Sequence, residues 1–152
     1  MVEYVKNSGH TKTHWRGKRV GDIQDWYGFT YLITNTANNR KYIGRKSFWR
    51  KTRRKLAGRV NRKIVNYESD WKTYTGSSDE LNKDILTYGK DSFTFKIIRL
   101  YRTRSGLRYG EISAQVKTGC LHNKIVDGST GGTVYEYYNG QIDRFRGRVS
   151  EV

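Results

Sequence analysis

Two short runs of β-forming residues flank a polar turn in the first third of the chain. Residues 30–46 read TYLITNTANNRKYIGRK, with Tyr31 in the first run and Tyr42 in the second. Aromatic and β-branched residues favour strands, and Asn38 and Asn39 tolerate the positive φ of a tight turn. The pattern predicts a β-hairpin that places two tyrosines on neighbouring strands.

Helical and strand periodicity follow one another further along the chain. Ser77 and Glu80 have the spacing of a capping box and Gly89 can end a helix, so we expect a helix between them. Residues 92–101 alternate apolar and polar positions and then become almost continuously apolar, which predicts a largely buried strand paired with the hairpin. Apolar residues at helical spacing over 106–118 predict another helix.

A dense cationic segment follows the hairpin. From Arg45 to Lys63 the sequence has ten basic residues and no acid, and we expect a helix followed by a long basic loop. The segment could be a solvated cationic face, but since no carboxylate neutralises it, we favour a surface that contacts phosphates. The predicted contacts are Arg45, Lys46, Lys51, Arg54, Lys55, Arg59, Arg62 and Lys63.

The order of elements, β-β-α-α-β-α, predicts an α/β fold. We expect a small mixed or antiparallel sheet of about three central strands flanked by helices, and 152 residues suit a single core. Residues 1–25 are basic without an apolar period and predict a loose arm. The folded domain is expected over 26–127, and 128–152 form a tail with a possible hairpin at residues 139–140.

The net charge indicates the partner. Thirty Lys and Arg against 14 acids give +16, a self-repulsion that a polyanion would relieve, so we expect nucleic acid. No apolar run approaches the roughly 20 residues that span a bilayer, and no signal peptide opens the chain. We expect no membrane association and a cytoplasmic protein, in the host cytoplasm if it is phage-encoded. The single Cys120 excludes an internal disulfide and a cysteine-rich zinc site.

One acidic side chain is isolated among cations. Glu111 is the only acid between Asp91 and Asp127, and it could simply pair with an arginine. Alternatively, one glutamate can hold Mg²⁺ or Mn²⁺, with water and phosphate oxygens completing the coordination. Phosphodiester hydrolysis also needs an activated water. A strand tyrosine could accept its proton if nearby cations lower the phenol pKa from about 10, although strand tyrosines can also be plain packing residues.

These residues, in this order, resemble the core of the GIY-YIG nuclease family. The resemblance covers roughly 28–126 and includes an intact Tyr42-Ile43-Gly44. Phe29-Thr30-Tyr31 stands where Gly-Ile-Tyr is usual, so the first tripeptide is degenerate. The cationic segment, the stretch YGKDSFTFKII, the helix with Glu111 and the stretch HNKI follow in the family's order.

The resemblance implies a metal-dependent endonuclease that hydrolyses DNA phosphodiester bonds by attack of an activated water. Either Tyr31 or Tyr42 resembles the family's general base, with the other tyrosine supporting it. Glu111 resembles the single ligand of Mg²⁺ (or Mn²⁺), and Asn123 resembles an asparagine that orients the site. Double-stranded DNA is the implied substrate.

The family's arginine does not align with an arginine in this chain. Its position falls on Thr52. Arg53 is therefore the first candidate for the family's catalytic arginine and Arg50 is the second, and both would share a face of the expected helix. Tyr74 and Ser77 are further candidates for phosphate contacts.

Two questions stay open at this point. Charge and aromatic content also suit a non-catalytic RNA- or DNA-binding module whose exposed rings stack on bases. If the chain is a nuclease, its length leaves no room for the separate DNA-binding domain that homing enzymes often carry. We therefore expect a stand-alone restriction-like or phage-encoded nuclease acting as a homodimer or higher homo-oligomer.

Overall fold

The computed structural model describes residues 2–7, 12–55, 62–118, 125–127 and 134–138. The strands are β1 (Val2–Val5), β2 (Arg16–Gly17), β3 (Gly28–Asn35), β4 (Arg40–Ser47), β5 (Trp49–Lys55), β6 (Arg62–Glu68), β7 (Phe93–Tyr101), β8 (Ile125–Asp127) and β9 (Val134–Tyr135). The α-helices are α1 (Asp79–Tyr88) and α2 (Arg104–Lys117). Short 3-10 turns cover Ile23–Asp25, Trp71–Thr73 and Lys90–Ser92.

The central sheet has the strand order β2-β7-β3-β4. β3 pairs antiparallel with β4, which confirms the predicted hairpin, and antiparallel with β7, which confirms the predicted partner strand. In this register Tyr31 lies opposite Gly44, and Asn39 in the turn adopts φ 61° as expected. The mixed α/β fold class is confirmed, and β4 is an edge strand of this sheet.

The helix predicted for the cationic segment is wrong. The segment begins in the last residues of β4 and continues as β5, which pairs antiparallel with β6 and forms a second sheet of order β1-β6-β5. Between Trp49 and Leu56 the sequence offers no apolar residue at helical spacing, so a helix would have no face to bury. Ile64, Val65 and Tyr67 on β6 are good strand formers, and pairing with them satisfies the backbone of β5.

Residues 12–25 differ from the loose arm that we expected over 1–25. Trp15 is buried and its indole N–H donates to the carbonyl of Trp71. Ile23 is also buried, β2 pairs in parallel with β7, and β1 pairs in parallel with β6. An indole and an aliphatic side chain therefore hold this basic segment on the domain.

Both remaining helices are close to their predicted positions. α1 is capped by Ser78, whose Oγ accepts the Leu81 N–H, and not by Ser77 as the capping-box spacing suggested. Gly89, at φ 87°, ends α1 as predicted. α2 begins after its N-cap Thr103. Near the C-terminus β8 pairs with β9, whereas the turn of the predicted last hairpin lies outside the described residues.

Aromatic rings form the core on one face of the central sheet. Phe29 packs against Trp15 and Phe48 at centroid distances of 5.1 Å each, and Phe48 meets Trp71 edge-on at 5.0 Å. The opposite face is covered by α2 through Leu107. Among the described residues no helix is long and apolar enough to cross a bilayer.

His14 should make stability depend on pH. Its ring stacks on Phe95 at 3.9 Å, and burial, with the positive charge of Lys90 as a second cause, lowers its pKa from 6.5 to about 4. The pKa of His14 is lower in the folded state than in the unfolded state. His14 therefore leaves the free energy of unfolding at its full value above about pH 6.5 and reduces it as the pH falls towards 4. We expect His14→Gln, which can still donate to the Tyr74 carbonyl, to show a smaller loss of melting temperature over this range. Equal losses for both proteins in thermal melts would contradict this.

Candidate active site

The outer edge of β4 is covered by side chains and backbone from distant parts of the chain. At one end the Lys41 N–H donates to the Glu136 carbonyl and the Lys41 carbonyl accepts the Tyr138 N–H, both at 2.8 Å. Two residues further along, the Ile43 carbonyl accepts a hydrogen bond from buried Gln115 of α2 at 3.2 Å. An edge strand must satisfy or cover such groups, and α2 is thereby fixed against β4.

Glu111 continues this series along the edge. It lies one helical turn before Gln115 on the same face of α2, and its carboxylate accepts the backbone N–H of Arg45. The Arg45 guanidinium lies 3.8 Å from the carboxylate, with Nη1 facing Oε1. Burial nevertheless raises the pKa of Glu111, because the opposing effect of Arg45 is the smaller one. Arg45 fixes the position of Glu111, while burial disfavours the charged form of its carboxylate.

The two predicted tyrosines lie on the other face of the same strands, close to this edge. Tyr31 is 1% exposed and Tyr42 is 9% exposed, and their rings stack at 6.0 Å between centroids. Tyr74 stands edge-on to Tyr31 at 6.3 Å. The hydroxyl of Tyr42 lies 3.3 Å from Ser77 Oγ. Three phenols and one hydroxyl therefore form one cluster.

Electrostatics connect the tyrosine cluster with the glutamate. Burial raises the pKa of Tyr31 strongly, and Tyr42, Tyr74 and the charge of Glu111 raise it further. Burial also raises the pKa of Tyr74, and Glu111 again adds to the effect. The acid and the phenols thus act on one another although they belong to opposite faces of the sheet. The expectation that cations lower the phenol pKa is wrong for Tyr31, because no cation is among the causes that shift its pKa and burial, the largest cause, raises it.

Gly44 leaves the space that the phenols occupy. A Cβ at Gly44 would lie 2.5 Å from the Tyr31 hydroxyl and 2.8 Å from Cε1 of Tyr42. The third residue of the Tyr-Ile-Gly run therefore has a steric role, because any side chain there would push both rings apart.

Gly44→Ala should damage both the fold and the site. The added methyl meets two buried rings, and overpacking of this kind costs about 1–3 kcal/mol. We expect a lower midpoint in urea unfolding and loss of the nuclease activity that the sequence resemblance implies. Gly21→Ala is the control for a glycine substitution, since a Cβ there meets nothing within 4 Å, although its φ of +67° makes it slightly unfavourable. Full activity of Gly44→Ala would contradict this account.

Cations line a pocket between β4 and the first turns of α2. A pocket of about 250 Å³ is lined by Arg45, Lys46, Arg104 and Arg108, among others. Arg104 and Arg108 were not among our candidates. Their signal was in the sequence, since they precede Glu111 by seven and three residues and share its face of α2.

Lys46 connects this pocket with the tyrosine cluster. Its ammonium lies 4.1 Å from the centroid of the Tyr74 ring and 2.7 Å from the Asp70 carboxylate. The hydrogen bond from Lys46 lowers the pKa of Asp70, and the charge of Arg50 lowers it further.

The structure brings together only part of the predicted set. Arg50 lies on β5 at 6.0 Å from the Tyr67 ring, beside Asp70. The argument that placed Arg50 and Arg53 on one face is wrong, because it assumed a helix, and strand residues three apart do not share a face. The side chains of Arg53, Arg54, Lys55, Arg62 and Lys63, and the residues Arg59 and Asn123, lie outside the described parts of the chain.

The donor set limits the kind of metal that the site could hold. The described residues contain no group of three or more His, Cys, Asp or Glu side chains placed to share an ion. One half-buried carboxylate, Glu111, lies 3.8 Å from Arg45, which also lines the cationic pocket. This fits a hard cation such as Mg²⁺, which keeps most of its waters and needs few protein ligands.

Comparison with known families identifies the family of this chain. A family model described as "Putative endonuclease segE, GIY-YIG domain" matches residues 12–142. Searches among curated proteins and among solved structures gave no match. Because the family match covers most of the chain, the chain belongs to the GIY-YIG endonuclease family and is an endonuclease. The resemblance seen in the sequence is confirmed.

Proposed function

We propose that the protein is a DNA endonuclease that hydrolyses phosphodiester bonds at the outer edge of β4, with Mg²⁺ (or Mn²⁺) held by Glu111. One observation carries the proposal. Glu111 of α2 lies 3.8 Å from the guanidinium of Arg45 on β4, the strand that also carries Tyr42 in its cluster with Tyr31, so the fold brings the acid and the phenols to one strand from separate elements. A module that only binds nucleic acid gains nothing from a carboxylate among its cations, since the carboxylate repels phosphate.

Tyr42 is the better candidate for the general base. The raised pKa of Tyr31 keeps its proton on the phenol, so Tyr31 donates the hydrogen bond that joins the two tyrosines. Ser77 can donate a second hydrogen bond to the Tyr42 oxygen. Both donors would stabilise negative charge on Tyr42 as it removes a proton from water.

The cations of the pocket hold the phosphate. Arg45, Arg104 and Arg108 can surround its oxygens and stabilise the charge that develops on phosphorus. A bound metal ion would stabilise the departing 3′ oxygen. Arg53 and Arg50 stay predictions for the family's arginine, and Asn123 stays a prediction for the asparagine that orients the site.

Double-stranded DNA and a homodimer complete the proposal. The formal charge of +16 supports a polyanionic substrate. One active site cuts one strand, so two copies would cut a duplex without reorientation. A stand-alone nuclease of phage or restriction type, acting in the cytoplasm, is the setting that we propose.

A plasmid assay tests the proposed function. Supercoiled DNA is incubated with the protein and Mg²⁺ or Mn²⁺, and with EDTA as a control. We expect nicked and linear products only with the divalent ion. Retention of DNA in a gel shift without any cleavage, across several metals and substrates, would instead favour the non-catalytic binding module.

A further inference from the structure

A second groove lies between the small sheet and the start of α2. Its volume is about 600 Å³. One wall is the face of the β1-β6-β5 sheet that carries Tyr4, Trp49 and Lys51, and the other wall is formed by residues 24–27 and 102–104. Of these lining residues, the proposed mechanism uses Arg104 alone.

The groove adjoins the pocket that Arg45 and Arg108 line. Tyr27 and Arg104 line both the 600 Å³ groove and the 250 Å³ pocket beside Glu111. A polymer held at the β4 edge can therefore reach the groove by running past Tyr27 and Arg104. This position suits the part of the substrate that lies next to the scissile phosphate.

The walls of the groove offer fixed aromatic rings. The Trp49 indole N–H donates to the carbonyls of Ile23 and Trp26, at 3.3 and 3.2 Å. Tyr4 packs edge-on against Trp49 at 4.9 Å and is 45% exposed. Trp49 holds the Tyr4 ring in place, while nearly half of its surface stays open to a ligand.

The positive charge of the groove favours an anionic ligand. Lys51, Arg102 and Arg104 line it, and Asp25 is the only acid among its lining residues. Cations combined with an exposed aromatic ring are the features that bind single-stranded nucleic acid, because phosphates meet the cations and bases stack on the ring. In a duplex the faces of the bases are already stacked and are not available to Tyr4.

We propose that this groove binds a single-stranded segment of DNA next to the cut, with a base stacked on Tyr4 and the backbone passing Lys51 and Arg104. The enzyme would then prefer DNA with unpaired nucleotides on one side of the scissile phosphate. This inference rests on the proposed function for the identity of the polymer.

Binding measurements in EDTA test the groove without cleavage. Fluorescence anisotropy compares a labelled duplex with the same duplex carrying a single-stranded extension. We expect wild type to bind the extended DNA more tightly, and Tyr4→Ala to weaken that binding by about 5–150-fold, the loss of one base–aromatic stack. Tyr109→Ala, an aromatic 74% exposed on α2 and outside the groove, should bind as wild type does.

Lys51→Ala is a second variant, and it tests the groove even if Tyr4→Ala does not fold. It should reduce the slope of log affinity against log salt for the extended DNA by roughly 0.7, the value for one phosphate contact on a single strand. Exposed Lys83 on α1 provides the matched control, since Lys83→Ala should leave the slope unchanged. Thermal melts check that each variant is folded.

Several outcomes would overturn the inference. Equal binding of both DNAs by wild type would do so, and so would an unchanged preference in folded Tyr4→Ala together with an unchanged salt slope in Lys51→Ala. Dissociation of a dimer by Tyr4→Ala in size-exclusion chromatography would assign the groove to a second copy instead. Failure of the proposed function is seen separately, as absence of cleavage by a wild-type protein that still prefers the extended DNA.

Discussion

Glu111→Gln should abolish cleavage and at the same time stabilise the protein. The amide cannot hold a divalent cation as the carboxylate would, and a metal ion contributes several kcal/mol to the transition state, so we expect a loss of roughly 10²-fold or more in rate. Binding of DNA in EDTA should be equal or tighter, because one negative charge near the phosphates is gone. Cleavage of a labelled duplex and anisotropy in EDTA measure the two effects.

The stabilisation by Glu111→Gln has a definite pH window. Burial raises the pKa of Glu111 above the ordinary value of 4.5, so the folded state disfavours the carboxylate. At neutral pH the free energy of unfolding of Glu111→Gln should therefore exceed that of wild type. This difference should disappear as the pH falls below about 4.5, where Glu111 is protonated in both the folded and the unfolded state. Urea unfolding at pH 7 and pH 4 measures this window. Glutamine can still accept the Arg45 N–H, so the contact with the β4 edge survives.

Glu80→Gln is the matched control for Glu111→Gln. Glu80 is an exposed glutamate on α1 that pairs with Arg40 at 2.8 Å, away from the catalytic pocket. Its substitution should leave cleavage unchanged and should not stabilise the fold. Normal cleavage by Glu111→Gln would remove Glu111 from the mechanism and leave it as a partner of Arg45 only.

Tyr42→Phe should lower the cleavage rate by roughly 10²–10⁴-fold, the usual contribution of a general base. The ring remains, so its stacking on Tyr31 and the fold should persist. Because the proton acceptor is missing, raising the pH should not restore the rate. Single-turnover cleavage from pH 6 to pH 10 gives both the rate and its pH dependence.

Tyr31→Phe distinguishes the two tyrosines. This variant keeps the proposed base but removes the hydrogen bond that stabilises its negative charge. We expect a smaller loss, with the pH–rate profile moved to higher pH so that activity recovers in alkali. Tyr109→Phe on the exposed face of α2 should have no effect. An inactive Tyr31→Phe beside an active Tyr42→Phe would reverse the roles that we propose.

The sequence predicted elements wherever local patterns and tertiary packing agreed. The hairpin was predicted because its turn and both of its runs favour one structure, and β7 because a long apolar run has few alternatives. The prediction was wrong for β5, where the local sequence has no apolar pattern that favours either a helix or a strand. Its pairing with β6 joins residues as far apart as Trp49 and Glu68, which a local pattern does not detect. The same limit hid Trp15, a single core residue within a polar segment.

The sequence by itself determined the family, the basic character of the chain, and the identity of Tyr31, Tyr42 and Glu111 as the residues to consider. It did so because the order and spacing of these residues are written along one chain. Only the tertiary structure decided that Glu111 binds the free backbone of β4 while the phenols pack on the opposite face over Gly44. The tertiary structure also decided that burial raises the pKa of Glu111 and of Tyr31. Both facts arise from the distances between elements that are far apart in sequence, and the desolvation they cause has no local signature.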